Sequence, residues 1–341
     1  MVLKRMLQLS LVLTFAVILL GAYTRLADAG LGCPDWPGCY GQLSVPSSEI
    51  ELAQANSLFP TETVEADKAW LEMIHRYFAG SLGLLVFAIS VVALVQNRVG
   101  RLLPILVTLV VVFQALLGMW TVTMKLMPLV VMGHLLGGFT LFCLLALLYW
   151  RVSEKQRLLP QQGIHTSLKL TAISGLVLLV LQIALGGWTS SNYAALMCTE
   201  LPICQGQWRD YLDFDTAFQL IQKPQDSYEF GTLDYGARMT IHIVHRFGAM
   251  IVTAALLALI WQLFKQPHYR YQQQAGSLAL LLSLQVVLGI SNVVFSLPIA
   301  VAVAHNLGAA LLLLNVLYIN HLLWHSDQKL LSARPRFGKE A

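Results

Sequence analysis

Hydrophobic residues run through this chain in eight long stretches, at about 7–24, 70–95, 102–124, 128–150, 168–190, 238–264, 275–297 and 299–324. Each is near the ~20 residues that a bilayer core requires of a helix. Lipid offers the backbone no hydrogen-bond partner, so apolar runs of this length predict helices, and the chain reads as all-α. The first run follows Lys4 and Arg5 and precedes Ala27-Asp28-Ala29, a pattern shared with secretory signal peptides. A counterpart in the second half of the chain argues for a retained helix.

Polar landmarks punctuate the two halves at a nearly constant offset. Cys33 and Cys39 recur 165 residues later as Cys198 and Cys204, and Gly21-Ala-Tyr-Thr24 recurs as Gly186-Gly-Trp-Thr189. His75-Arg76 returns after 170 residues as His245-Arg246. Gln114-x-x-x-Gly118 returns after 171 as Gln285-x-x-x-Gly289, and His134-x-x-Gly137 as His305-x-x-Gly308. Four helices per half is an even number, so the halves are parallel repeats about an axis along the membrane normal. The prediction is a polytopic membrane protein of two pseudo-symmetric four-helix bundles, residues 1–160 and residues 161–341.

Composition agrees: of 341 residues, 57% are hydrophobic and 12% charged, where soluble proteins carry about 25% charged. A net charge of +4, dispersed along the chain, gives no basis for nucleic-acid binding. The basic residues report orientation instead. With the N-terminus inside, Lys4, Arg5, Arg98, Arg101, Arg151, Lys155, Arg157, Lys169, Lys265, Arg270, Lys329, Arg334, Arg336 and Lys339 face the cytoplasm, while only Glu154, Asp327 and Glu340 among the acids do. The positive-inside rule therefore predicts both termini in the cytoplasm. Two long outer loops, about 25–69 and 191–237, carry the paired cysteines. Disulfides Cys33–Cys39 and Cys198–Cys204 are favoured over free thiols, since that compartment permits them, and over metal binding, since no loop histidine flanks either pair.

Ionisable residues inside membrane helices are costly and mark functional sites. His75, His134, His245 and His305 fall within the first one or two turns of helices running from outside to inside, which puts all four near the outer surface. A lone membrane histidine is commonly an interhelical hydrogen-bonding residue. Four at matching places in a duplicated bundle favour two axial pairs for haem iron, His75 with His134 and His245 with His305. Gly137-Gly138 and Gly308 would leave room for a flat macrocycle. Arg76 and Arg246, beside a histidine, are candidates for pairing with propionates. His165, His268, His321 and His325 read as solvated or interfacial, Met119, Met124, Met127 and Met132 as core filling, and Cys143 as a small apolar filler.

Glu72 is the main asymmetry. It lies three residues before His75, on the same helix face, and the second half has His242 in its place. A desolvated carboxyl there could transfer protons or stabilise positive charge beside a macrocycle, or bond a loop or another helix. Two similar sites, one of which carries a carboxylate, suggest chemistry in one and electron transfer in the other.

The chain resembles the heme A synthase family. The matching pieces are Gly21-Ala-Tyr-Thr-Arg25-Leu26, Ala29-Gly30-Leu31, Trp36-Pro37, Glu72-x-x-His75-Arg76, Gln114-x-x-x-Gly118, His134-x-x-Gly137, His245-Arg246 and His305-x-x-Gly308. They cover essentially the whole chain. The resemblance implies a bacterial inner-membrane oxidoreductase that converts a methyl of haem O to a formyl by successive hydroxylations, with water as the oxygen source, giving haem A for terminal oxidases. It implies haem b as cofactor in the C-terminal bundle, ligated by His245 and His305. It places haem O in the N-terminal bundle, between His75 and His134, with Glu72 as the catalytic carboxylate. Arg25 is a further candidate for polar or propionate support, although Ser190 occupies its place in the other half. Implied partners are haem O synthase, terminal-oxidase assembly factors, an electron acceptor and membrane lipid. Two other classes share the residues: a di-haem b electron-transfer cytochrome linked to quinol, and a haem exporter.

Overall fold

The computed structural model describes residues 2–97, 99–153, 165–201, 204 and 207–332, with side chains of the last helix described as far as Trp324. The helices are α1 (Val2–Leu26), α2 (Glu49–Leu58), α3 (Ala66–Gln96), α4 (Leu102–Thr123), α5 (Pro128–Ser153), α6 (Thr166–Ser191), α7 (Phe214–Ala217), α8 (Tyr235–Phe264), α9 (Tyr269–Val294) and α10 (Ile299–Ser332). Eight of them are long and apolar enough to cross a membrane. Among the described residues no strand forms, and the protein is an all-helical, multi-pass membrane protein.

The N-terminal helices α1, α3, α4 and α5 pack as one four-helix group, and α6, α8, α9 and α10 as another. The groups meet along α1 against α10, α5 against α6, and α5 against α10. Under the repeat, α1 corresponds to α6 and α5 to α10, so the first two seams are the same contact made twice. Leu7, Val86, Ile89, Leu145 and Leu148 fill the first group. The second group's core extends across the seam to Phe139 and Phe142 of α5.

Backbone conformation carries the repeat further. Asp28 and Tyr193 follow the ends of α1 and α6, and both hold positive φ, 49° and 52°. The turns from α4 to α5 and from α9 to α10 place Lys125-Leu126 and Ser296-Leu297 at φ of 47°, 63°, 56° and 61°. Such values are uncommon outside glycine, so their recurrence at matching positions supports duplication of one unit. Contacts on the axis agree. Arg25 Nη2 donates to the Ser190 carbonyl at 3.1 Å, and the Tyr193 hydroxyl meets Asp28 Oδ1 at 3.4 Å; each pair is separated by 165 residues. A residue that touches its own repeat partner must lie beside the axis relating the halves.

Several expectations need correction. α3 starts at Ala66 and α8 at Tyr235, so His75 and His245 lie nine and ten residues in, nearer three turns than one or two. The apolar window misses these polar first turns. α9 covers 269–294 in place of 275–297, because its opening Tyr-Arg-Tyr-Gln-Gln-Gln turn is amphipathic. The short helix α2 was not expected, although Ser48 and Glu51 form a capping box legible in the sequence. His321 is buried at 5% exposure against the Trp150 ring, 5.4 Å between centroids, and is not solvated. The charges assigned to Arg98, Glu154, Lys155, Arg157, Asp327, Lys329, Arg334, Arg336, Lys339 and Glu340, and the His325 side chain, lie outside the described residues and side chains.

Candidate functional site

Each of the four histidines rests on a glycine of a neighbouring helix. A Cβ added to Gly21 of α1 would stand 2.8 Å from Cε1 of His75, and one on Gly118 of α4 would stand 3.4 Å from Cε1 of His134. The corresponding distances are 3.2 Å for Gly186 of α6 and His245, and 3.1 Å for Gly289 of α9 and His305. The histidines come from α3, α5, α8 and α10. Glycine lets the imidazole approach the facing backbone, so these pairs set the height of each ring in its bundle. His75 lies within electrostatic reach of His134, and His245 of His305 and His242.

Glutamines complete two of these contacts. Gln182 Nε2 donates to the His245 carbonyl at 2.9 Å and lies 3.0 Å from His245 Nδ1. Gln285 Nε2 donates to the His305 carbonyl at 3.1 Å and lies 3.4 Å from His305 Nε2. The side chains of Gln114, Gln182 and Gln285 fill the space over Gly137, Gly248 and Gly308, each three residues past a histidine. The expectation that Gly137 and Gly308 leave room for a macrocycle is thus wrong, because the glutamines occupy that room. The signal was available: Gln-x-x-x-Gly occurs at Gln114, Gln182 and Gln285, four residues ahead of three of the four ring-bearing glycines. α1 has Val17 ahead of Gly21, and Phe78 stands three residues past His75.

Glu72 is 5% exposed. Its Oε2 accepts the Cys33 amide at 2.9 Å, and its Oε1 pairs with Arg76 Nη2 at 2.5 Å. Arg76 Nη1 also donates to the carbonyls of Asp35, at 2.9 Å, and Gly38. His242 takes the place of Glu72 and bonds the Ala194 carbonyl through Nδ1 at 2.8 Å. Arg246 donates to the carbonyls of Cys198, at 2.5 Å, and Glu200, at 2.7 Å. Both cysteine pairs are bridged, with S–S distances of 2.05 and 2.06 Å. Arg76 and Arg246 therefore clasp the disulfide loops through loop carbonyls, an arrangement that the propionate reading did not foresee. Arg25 spans the axis, donating to the Tyr193 hydroxyl at 2.8 Å with its guanidinium 4.2 Å from that ring. Burial raises the Tyr193 phenol above its ordinary value and the Arg25 charge opposes this, so the hydroxyl stays protonated and polar at the junction.

The histidines suit haem iron. All four lie deep in the protein, yet all four keep some accessible surface. Nδ1 of His75, His134 and His305 is buried without a partner, and groups of that kind in a native protein call for a ligand or other occupant. Among the described residues no three His, Cys, Asp or Glu converge as a metal site. Paired histidines are what an iron already held by four porphyrin nitrogens needs.

The chain is 55% identical over 324 residues to the heme A synthase of Shewanella oneidensis, covering 94% of this chain and 97% of that one. It is 28% identical to the heme A synthase of Mesorhizobium japonicum, covering 89% and 85%. With that of Halalkalibacterium halodurans it shares 25% identity, covering 90% and 92%. The family model COX15-CtaA, cytochrome oxidase assembly protein, matches residues 4–317. A match from the first membrane helix into the last takes in both histidine pairs and both disulfide loops, and the chain belongs to the COX15-CtaA family.

Proposed function

We propose that this protein is a heme A synthase, an oxidoreductase that converts the methyl group on the haem O ring to the formyl group of haem A. The observation that carries the reading is the asymmetry of the repeat. Two bundles offer equivalent histidine pairs, and only the first sets a carboxylate, Glu72, one turn from a histidine. The C-terminal bundle holds haem b between His245 and His305, and the N-terminal bundle holds haem O between His75 and His134. The basic inner loops favour both termini in the cytoplasm, and the bacterial inner membrane is the location that goes with this reading.

The balance of the reaction sets what the site must do. Methyl plus water gives hydroxymethyl with release of two protons and two electrons. A second water and a second two-electron oxidation give a hydrated aldehyde, which loses water to become formyl. Haem b supplies a one-electron relay towards an acceptor. Glu72 takes up protons near the reacting carbon, and Arg76 beside it stabilises the carboxylate form between transfers. The clasped Cys33–Cys39 loop covers the outer end of the site and limits bulk water, which would otherwise compete for reactive intermediates.

Pigment extraction from cells making the protein with a haem O supply, followed by chromatography and mass measurement, tests this. Haem A, absent when the gene is absent, is the expected product. Unaltered haem b alone would mean an electron-transfer cytochrome, and haem carried unchanged across the membrane an exporter.

A further inference from the structure

Two of the four candidate ligands, His245 and His305, are held by a glutamine amide, and two, His75 and His134, are not. Gln182 reaches from α6 to the carbonyl and ring of His245, and Gln285 from α9 to those of His305. In the first bundle Gln114 lies over Gly137, as Gln285 lies over Gly308, but its Nε2 is buried without a partner and does not reach His134. His75 has no such neighbour: Val17 stands where the repeat places Gln182, and Phe78 where it places Gly248. A glutamine cannot be accommodated there without losing both, since the clamp needs an amide on one helix and a missing Cβ on the other. The C-terminal pair thus has two clamps and the N-terminal pair has none.

We propose that Gln182 and Gln285 are positioning residues that fix the two haem b ligands, and that the N-terminal pair, His75 and His134, which no glutamine amide holds, is the releasable one through which substrate haem enters and product haem leaves. This rests on the assignment of the two bundles given above. A resident cofactor must not dissociate, and two held ligands suit it. A substrate that becomes a product must come and go. Ligands without side-chain clamps allow exchange without dismantling the site. Partners that orient a metal-bound histidine commonly change metal affinity by about 10–100-fold, enough to separate a cofactor from a turnover ligand. The amide oxygens of Gln182 and Gln285 are buried and unpaired. A rotation of either amide would offer that oxygen to the imidazole N–H that ligation through the other ring nitrogen leaves in place.

The test follows haem leaving purified, haem-loaded protein for excess apomyoglobin in detergent, with the transferred pigment identified by mass. In the wild-type chain, haem O and haem A should transfer faster than haem b. Gln182→Met and Gln285→Met keep side-chain volume and remove the amide, so the core should tolerate them. Each should speed haem b transfer by about tenfold or more and move the low-spin g-values of that haem, while Gln182→Glu should restore both towards wild type. Installing a clamp on His75, by Val17→Gln with Phe78→Gly, should slow haem A release towards the haem b rate. Unchanged transfer and unchanged g-values in both Met variants, with haem b fully bound, would overturn the positioning role. Haem b leaving faster than haem A from the wild-type chain would overturn the releasable N-terminal pair. Loss of haem b in His75→Ala but not in His245→Ala would instead reverse the assignment of the bundles. The effect of each Met variant is still read on the haem its own histidine holds.

Discussion

Glu72 and the Cys33 amide are joined by a 2.9 Å hydrogen bond that ties the membrane helix α3 to the outer disulfide loop. The carboxylate nearest a candidate substrate ligand is therefore also the anchor of the loop above it, and the other carboxylate oxygen engages Arg76. In the second half His242 keeps the anchor, through the Ala194 carbonyl, without the carboxylate. Anchoring is common to both halves, whereas a carboxylate stands in one.

Glu72→Ala should therefore accumulate haem O or its hydroxymethyl derivative while the haem b spectrum persists. Loss of a general acid or base costs about 10²–10⁴ in rate. Glu72→Asp should fall between, since it keeps the charge and withdraws it by one methylene. Chromatography of extracted pigments decides the matter. Wild-type haem A in Glu72→Ala would leave the residue with the loop role alone.

His245→Ala and His305→Ala should each abolish the low-spin haem b spectrum, because a bis-histidine iron loses an axial ligand. His75→Ala and His134→Ala should retain it. A visible spectrum unchanged in both C-terminal variants would strike them from the ligand set.

Arg25 should matter for stability more than for chemistry. Its guanidinium is largely buried, stacks on Tyr193 and bonds across the axis to Tyr193 and Ser190. Cation–π contact and charged hydrogen bonds together suggest a loss of about 2–4 kcal/mol for Arg25→Ala. Tyr193→Phe, which keeps the ring, should lose about 1 kcal/mol. Thermal unfolding in detergent should rank them in that order; an Arg25→Ala midpoint equal to wild type would remove the junction from the account.

The cap of α2 should respond to acid. Ser48 and Ser47, through backbone amides and hydroxyls, hold the Glu51 carboxyl down to about 2 from an ordinary 4.5. Since the folded value is the lower one, the cap's contribution is complete above about 4.5 and disappears as pH falls through about 2. Protection factors of the amides across residues 49–58, taken against intrinsic exchange at each pH, should fall over that window. Glu51→Gln should abolish the pH dependence, and a persisting dependence in that variant would assign it to another group.

Period, length and charge bias are local properties, and they determined the eight spans, the duplication and the four histidines without help from tertiary structure. Lipid permits only helices of a certain length, and an ionisable side chain within one must have a reason to be there. The roles of the arginines were not local. Arg76 and Arg246 sit beside histidines in sequence, yet each guanidinium reaches carbonyls nearly forty residues or more away on a folded-back loop, and only the path of that loop decides between loop and propionate. Arg25 looked unpaired because its repeat partner is Ser190; the structure makes that same serine its acceptor, because residues beside a pseudo-twofold axis meet their own counterparts. The glutamines were visible as a motif but silent about purpose. Their reach across to a facing histidine, and the glycine that admits them, depend on how two helices pack, which no single helix's sequence specifies.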